Sequence, residues 1–158
     1  MPVHPIPPVY DGNSEILILG SFPSVKSREE GFFYGHPRNR FWKILSAIYD
    51  EKTPETVEEK KAFLLKNHIA VWDVIRSCDI EGSSDASIRN VLPNDIPSLL
   101  KKTKIRKIFV NGKTAEKYYD RYLKETCNKA VTLPSSSPAN ASMSLEKLIE
   151  EWKRLLSE

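Results

Sequence analysis

The chain has 158 residues, 40% of them apolar and 28% charged, at a net charge of +3, which describes one soluble globular domain with a real core rather than a disordered or fibrous chain. So small a charge favours a polyanionic partner only through local clusters, here Lys26 with Arg28, Arg38 with Arg40 and Lys43, and the run Lys101 to Lys107, each of which also suits a solvated face. Cys78 and Cys127, far apart, and the scattered His4, His36 and His68 give neither a disulfide framework nor a metal-binding spacing; no apolar run reaches the roughly 20 residues of a membrane span, and the start MPVHPIPP is no signal peptide, so a cytoplasmic monomer without metal, cofactor or membrane contact is expected.

Pro2, Pro5, Pro7 and Pro8 keep residues 1–12 extended, wrapping the domain rather than forming an element. Ile16 to Leu19 is a continuous apolar run ending at Gly20, the pattern of a buried central strand, and Gly20 to Ser24 is its exit loop. The stretch Phe32 to Trp42, FFYGHPRNRFW, then crowds aromatic rings, a glycine and two arginines before an apolar helix. Rings stack on bases and guanidinium forks grip phosphate, so this loop suits a planar phosphorylated ligand; it equally suits aromatics folded back into the core.

From Asn39 to Asp50 the residues Phe41, Trp42, Leu45, Ile48 and Tyr49 recur at helical spacing, and Thr53-Pro54 reads as the start of another helix reaching Lys66. Ile69 to Trp72 is a second strand ending in Asp73, and 79–95 reads as a polar loop holding a short turn. Asp95 to Lys102 suits a short helix. Ile105 to Val110 is a third strand before Asn111-Gly112, followed by a helix whose Ala115, Tyr118, Tyr119, Tyr122 and Leu123 suit the core better than a ligand site. Ala130 to Leu133 is a fourth strand, followed by the loop Pro134 to Asn140. The last helix, capped by Ser144, buries Leu145, Leu148, Ile149, Trp152, Leu155 and Leu156.

Strands alternating with helices predict a three-layer α/β/α fold around a mainly parallel four-stranded sheet. In such a sheet ligands bind outside the carboxyl ends of the strands. Gly20 to Ser24, Asp73, Asn111 to Lys113 and Pro134 to Asn140 are therefore expected to face one crevice, with Phe32 to Trp42 beside them. Gly112-Lys113-Thr114 lacks the glycine that a P-loop needs five positions earlier, where Lys107 stands. There is no GxGxxG and no nucleophile elbow. The hydroxyls and backbone N–H groups of Pro134 to Asn140 can hold a nucleic-acid backbone, or simply lead into the last helix.

The segments GSFPS (20–24), YGHPRNRFWKIL (34–45) and LPSSSPANASMSLEKLIEEW (133–152) resemble the uracil-DNA glycosylase superfamily, and within it most closely the hypoxanthine-DNA glycosylase branch, also called DNA-deoxyinosine glycosylase. Both long motifs occur at the right separation, so the resemblance spans nearly the whole chain. It implies a uracil-DNA-glycosylase-like fold and a repair enzyme that flips a deaminated base out of DNA and hydrolyses its N-glycosidic bond, chiefly at hypoxanthine.

Two departures bear on mechanism. Many members carry Asp or Asn in the first motif to position the attacking water, where this chain has Phe22; the uracil-excising branch opens its second motif with a histidine, where Leu133 or Pro134 stands here. The resemblance assigns the key polar role to Asn39, whose carboxamide oxygen would hold the water; capping the next helix is a role equally open to it. Phe22 and Tyr34 are the candidates to sandwich the base, with Asp73 to read its edge and backbone N–H groups near Ser21 to stabilise its departing charge. Gly20, Ser24, His36, Arg38, Arg40, Ser135, Ser136, Ser137 and Asn140 are the expected DNA contacts. The alternatives are a uracil or mismatch-specific glycosylase, or a DNA-damage-binding module without activity.

Overall fold

The structure, a computed structural model, describes residues 3–157; Met1, Pro2 and Glu158 of the expected 1–158 domain lie outside them. Along the chain run β1 (Ile16–Gly20), α1 (Val25–Glu30), α2 (Phe41–Ile48), α3 (Val57–Lys66), β2 (Ile69–Asp73), β3 (Ile75–Asp79), β4 (Arg89–Pro93), α4 (Ile96–Lys101), β5 (Lys107–Asn111), α5 (Lys113–Tyr122), β6 (Ala130–Leu133) and α6 (Leu145–Trp152). The four strands expected from the sequence pair in parallel, as it predicts, and stand in the order β2-β1-β5-β6.

Because side chains alternate across a strand, β1 feeds two cores at once. Ile16 and Ile18 pack with Phe41, Trp42, Leu64 and Trp152 from α2, α3 and α6, while Leu17 and Leu19 pack with Ile96, Leu99, Ala115 and Tyr119 from α4 and α5. Three layers result. The polar face of each helix stays in water, and the two apolar faces lock the register of the sheet between them.

Several local expectations change. Thr56, not Thr53, caps α3 by accepting the Glu59 N–H at 3.0 Å; the Thr53 hydroxyl instead pairs with Ser46 at 2.8 Å. The supposed loop 79–95 contains β4, which forms an antiparallel hairpin with β3. Ser24 caps a short helix, α1, for which the sequence predicts no element. Tyr122 and Leu156, expected in the core, are 36% and 52% exposed.

The proline-rich start is extended and tied down. Val9 exchanges two 3.0 Å backbone hydrogen bonds with Val71 on the outer edge of β2, and Val3 bridges Ser77. This covers a strand edge that would otherwise present unpaired backbone groups. It also carries His4 to the end of β2.

Candidate active site

All four strands of the main sheet point the same way, so Gly20, Asp73, Asn111 and Leu133 end along one edge of it. A cavity of about 570 Å³ opens there, lined by Gly20 to Ser24, Tyr34, His36, Asn39, Asp73, Asn111 to Thr114 and Ser135 to Ala139, with Ser83 to Asp85 on the far side. Asp73 and Tyr34 crowd its floor at Gly20. A Cβ on Gly20 would stand 2.4 Å from Asp73 Oδ1 and 2.9 Å from the Tyr34 hydroxyl oxygen. Glycine at that position is what lets both polar groups converge over the strand end.

Asp73 is 3% exposed. Its Oδ2 accepts from His4 Nε2 at 2.7 Å, and its backbone carbonyl accepts from the buried Asn94 side chain at 2.9 Å. Tyr34 sits at φ 53°, a left-handed conformation costing a non-glycine residue roughly 1–2 kcal/mol, a kind of strain that clusters at functional sites. One face of its ring stacks on Phe41, with centroids 3.9 Å apart. The expected base-stacking role therefore has at most the opposite face available. The Tyr34 hydroxyl is buried and has no hydrogen-bond partner of good geometry among the described residues; burial first, and then the Asp73 charge, raise it well above the usual phenol range against the opposing pull of the Asn111 side chain.

Asn39 lies between two elements. Its Oδ1 accepts the Phe41 N–H at 3.0 Å, satisfying the first backbone donor of α2 from just ahead of the N-cap residue Arg40, and also the Ser136 hydroxyl at 2.8 Å. Ser136, with no exposed surface, is gripped in turn by Asn111, whose Oδ1 accepts the Ser136 N–H and whose Nδ2 donates to Ser136 Oγ, both at 3.0 Å. Two donors saturate the carboxamide oxygen that was expected to hold the water. Among the described residues the Asn39 Nδ2 group has no partner, so the carboxamide offers the cleft a donor.

The remaining expected residues divide. Ser21, Phe22, Ser24, His36, Ser135, Ser136 and Ser137 line the cavity, whereas Arg38, Arg40 and Asn140 do not. The Phe22 ring stands edge-on to His4, with Arg28 5.4 Å from its centroid. Arg40, expected on phosphate, instead donates to the carbonyls of Met143, Ser137 and Asn140. Its guanidinium staples the serine loop to the start of α2. Asn140 is likewise a loop brace, donating to the Ser135 carbonyl at 3.1 Å. Ser136 is too deeply buried to be a surface DNA contact, and Ser24 spends its hydroxyl as the α1 cap. Arg38 is exposed and free to meet phosphate.

Two contributions had no sequence-based expectation, His4 and Asn111 as the clamp on Ser136, whereas Lys113 lines the cavity as expected. The alternating strand-and-turn pattern put Asn111 and Lys113 at the crevice, but nothing local marks His4. Among the described residues no cluster of three or more His, Cys, Asp or Glu could hold a metal, and no helix is long and apolar enough to cross a membrane.

A family model described as the uracil DNA glycosylase superfamily matches residues 7–156. The chain belongs to the uracil DNA glycosylase superfamily. Among its relatives in that family, a protein of Methanosarcina acetivorans named hypoxanthine DNA glycosylase is 38% identical over 149 residues, 93% of each chain. A protein of the same name from Methanosarcina barkeri is 36% identical over 137 residues, 85% of each. A solution NMR structure from Methanosarcina acetivorans, described as a candidate uracil DNA glycosylase, superposes with a TM-score of 0.80 at 35% identity and covers 96% of both chains. The cleft at the strand ends is thus the candidate active site of a superfamily member with a uracil-DNA-glycosylase-like fold.

Proposed function

We propose that this protein is a monofunctional DNA glycosylase that hydrolyses the N-glycosidic bond of deaminated bases, chiefly hypoxanthine, after flipping them into the cleft. Relatives named hypoxanthine DNA glycosylase over most of the chain support the reaction. The observation that carries the substrate is the convergence of a carboxylate and a protonated phenol over Gly20. Hypoxanthine presents an N1–H donor beside the O6 acceptor. Asp73 Oδ1 is suited to accept the first and the Tyr34 hydroxyl to donate to the second. Adenine presents the opposite pair, an N1 acceptor beside an amino donor, and would leave both protein groups unsatisfied in a buried site. Uracil carries the same N–H and C=O neighbours as hypoxanthine, so its excision is the second reading.

The chemistry asks little of the protein beyond placement. Phe22 stacks on the flipped base, a contact worth roughly 1–3 kcal/mol per base, while Tyr34 meets its edge through the hydroxyl. Asn39 Nδ2 donates to the oxygen of a water below C1′. The bond from C1′ to N9 breaks with its electron pair going to the base, and the water oxygen bonds to C1′. The water's proton passes to solvent, and the departing base takes one up. The transition state is loose and oxocarbenium-like, by analogy with glycoside hydrolysis, so the water needs orientation more than deprotonation. Backbone N–H groups at Ser21 and Phe22 stabilise the leaving base. Arg38, Lys113 and the hydroxyls of Ser135 and Ser137 meet the DNA backbone. We assign the protein to a reducing cytoplasm as a monomer, in keeping with two unpaired cysteines.

The test uses duplexes carrying one hypoxanthine, uracil or xanthine, each incubated with excess protein and then split, half with alkali and half without. Alkali-dependent cleavage fastest at hypoxanthine is expected. Fastest cleavage at uracil would reassign the substrate, cleavage without alkali would remove the monofunctional assignment, and binding without any abasic product would leave a damage-binding module.

A further inference from the structure

The extended N-terminal segment does more than cover an edge. His4 N donates to the Arg76 carbonyl at 2.6 Å, the buried Ile6 anchors the strand two residues on, and the His4 side chain, 2% exposed, meets the 5% exposed Asp73 side chain. The His4 ring is boxed by Phe22 and Phe33, each with its centroid 5.9 Å away. Its tautomer follows from its other partner: Nδ1 accepts the Ile6 N–H at 3.2 Å, so the ring proton sits on Nε2 and is donated to Asp73 Oδ2.

We infer that His4 is a positioning residue for base recognition, pinning Asp73 as a pure hydrogen-bond acceptor with Oδ1 turned to the ring N–H of a flipped lactam base. The inference rests on the reading of Asp73 as the group that meets the base edge. The physical reason is the burial. A carboxylate out of water needs a donor to offset its desolvation, and with Oδ2 held by His4 the other oxygen, Oδ1, is fixed over Gly20 as an acceptor. An acceptor there suits the N1–H of hypoxanthine and opposes the N1 lone pair of adenine. One histidine donor, from a segment 69 residues away in sequence, thus orients the hydrogen bond by which the cleft distinguishes hypoxanthine from adenine.

The full-length protein tests this with His4→Phe, which fills the space without a donor, His4→Gln, which returns an N–H near the Nε2 position, Asp73→Ala, and the His4→Phe/Asp73→Ala double variant. Single-turnover excision is measured on duplexes with one hypoxanthine, alongside affinity for undamaged duplex and the melting temperature. His4→Phe is expected to slow hypoxanthine excision about tenfold to hundredfold, with undamaged-duplex affinity unchanged, and His4→Gln to recover most of the loss. The double variant is expected to be no slower than Asp73→Ala, because the histidine acts only through the carboxylate. A His4→Phe rate equal to wild type beside a slow Asp73→Ala would overturn the role of His4. So would equal slowing by Phe and Gln, or losses that multiply in the double variant. A wild-type rate for Asp73→Ala would instead remove the reading of Asp73 on which the inference stands.

Discussion

Ser136 donates its hydroxyl proton to Asn39 Oδ1 at 2.8 Å, joining the loop after β6 to the residue that leads into α2 across 97 positions of sequence. With the Phe41 N–H on the same oxygen, this bond decides which end of the carboxamide the cleft sees. Ser136→Ala leaves Asn39 free to turn and Asn111 Nδ2 without its acceptor. Excision is expected to fall at least tenfold, with about 1–3 kcal/mol lost from stability; chemical denaturation beside single-turnover kinetics separates the two effects. Unchanged excision by a destabilised Ser136→Ala would mean that the carboxamide does not need this restraint.

Tyr34→Phe removes a buried hydroxyl with no hydrogen-bond partner of good geometry among the described residues. Its stability should be equal to or above that of the parent, while hypoxanthine excision drops, an opposition that a packing role alone would not produce. The alkaline limb of stability gives a second check. The folded phenol is raised above its ordinary value near 10, so its stabilisation is complete below that value and declines as pH rises beyond it. The Phe variant should lose stability less steeply there.

Gly20→Ala places a methyl 2.4 Å from Asp73 Oδ1 and 2.9 Å from the Tyr34 oxygen. The two groups must part to admit it. The expected cost is about 1–3 kcal/mol, read by thermal melting, with a larger loss of hypoxanthine excision than the melting shift accounts for.

Arg38 and Arg40 separate by salt dependence. Exposed Arg38 is expected to contact phosphate, so Arg38→Ala should reduce the slope of log affinity against log salt by about one. Arg40 is occupied by three loop carbonyls. Arg40→Ala should leave that slope alone and instead destabilise the Ser135 to Asn140 loop, seen as faster amide exchange there. A slope change with Arg40→Ala would contradict its structural role.

Three of the parallel strands were legible because ILIL, IAVW and IFV are apolar runs in a sheet buried on both faces, and the half-buried edge strand AVTL because it sits between turn residues at strand length. The β3–β4 hairpin was not, since Arg89 to Pro93 sits largely exposed, ends in proline and pairs through irregular register. Helix α1 has one buried residue, Ser27, and so no apolar period to read. In the site, chain order brought Gly20, Asp73, Asn111 and the serine loop to one edge, and the motif around Asn39 pointed to the cavity wall where it lies. What stayed hidden were partners distant in sequence: His4 on Asp73, Ser136 on Asn39, and the carbonyls that occupy Arg40. An arginine in a loop before a helix looks the same whether phosphate or a remote carbonyl awaits it. The two-donor saturation of the Asn39 oxygen was hidden for the same reason.

Excision of hypoxanthine in this cleft is expected to depend on Asn39. Wild type and Asn39→Ala, in excess over a duplex with one hypoxanthine, are followed by mass spectrometry for the free base and by gel shift for binding. Wild type is expected to release hypoxanthine stoichiometrically, and Asn39→Ala to bind the same duplex while releasing it more slowly by orders of magnitude. Release by Asn39→Ala at a near-normal rate, or none by wild type, would contradict the account.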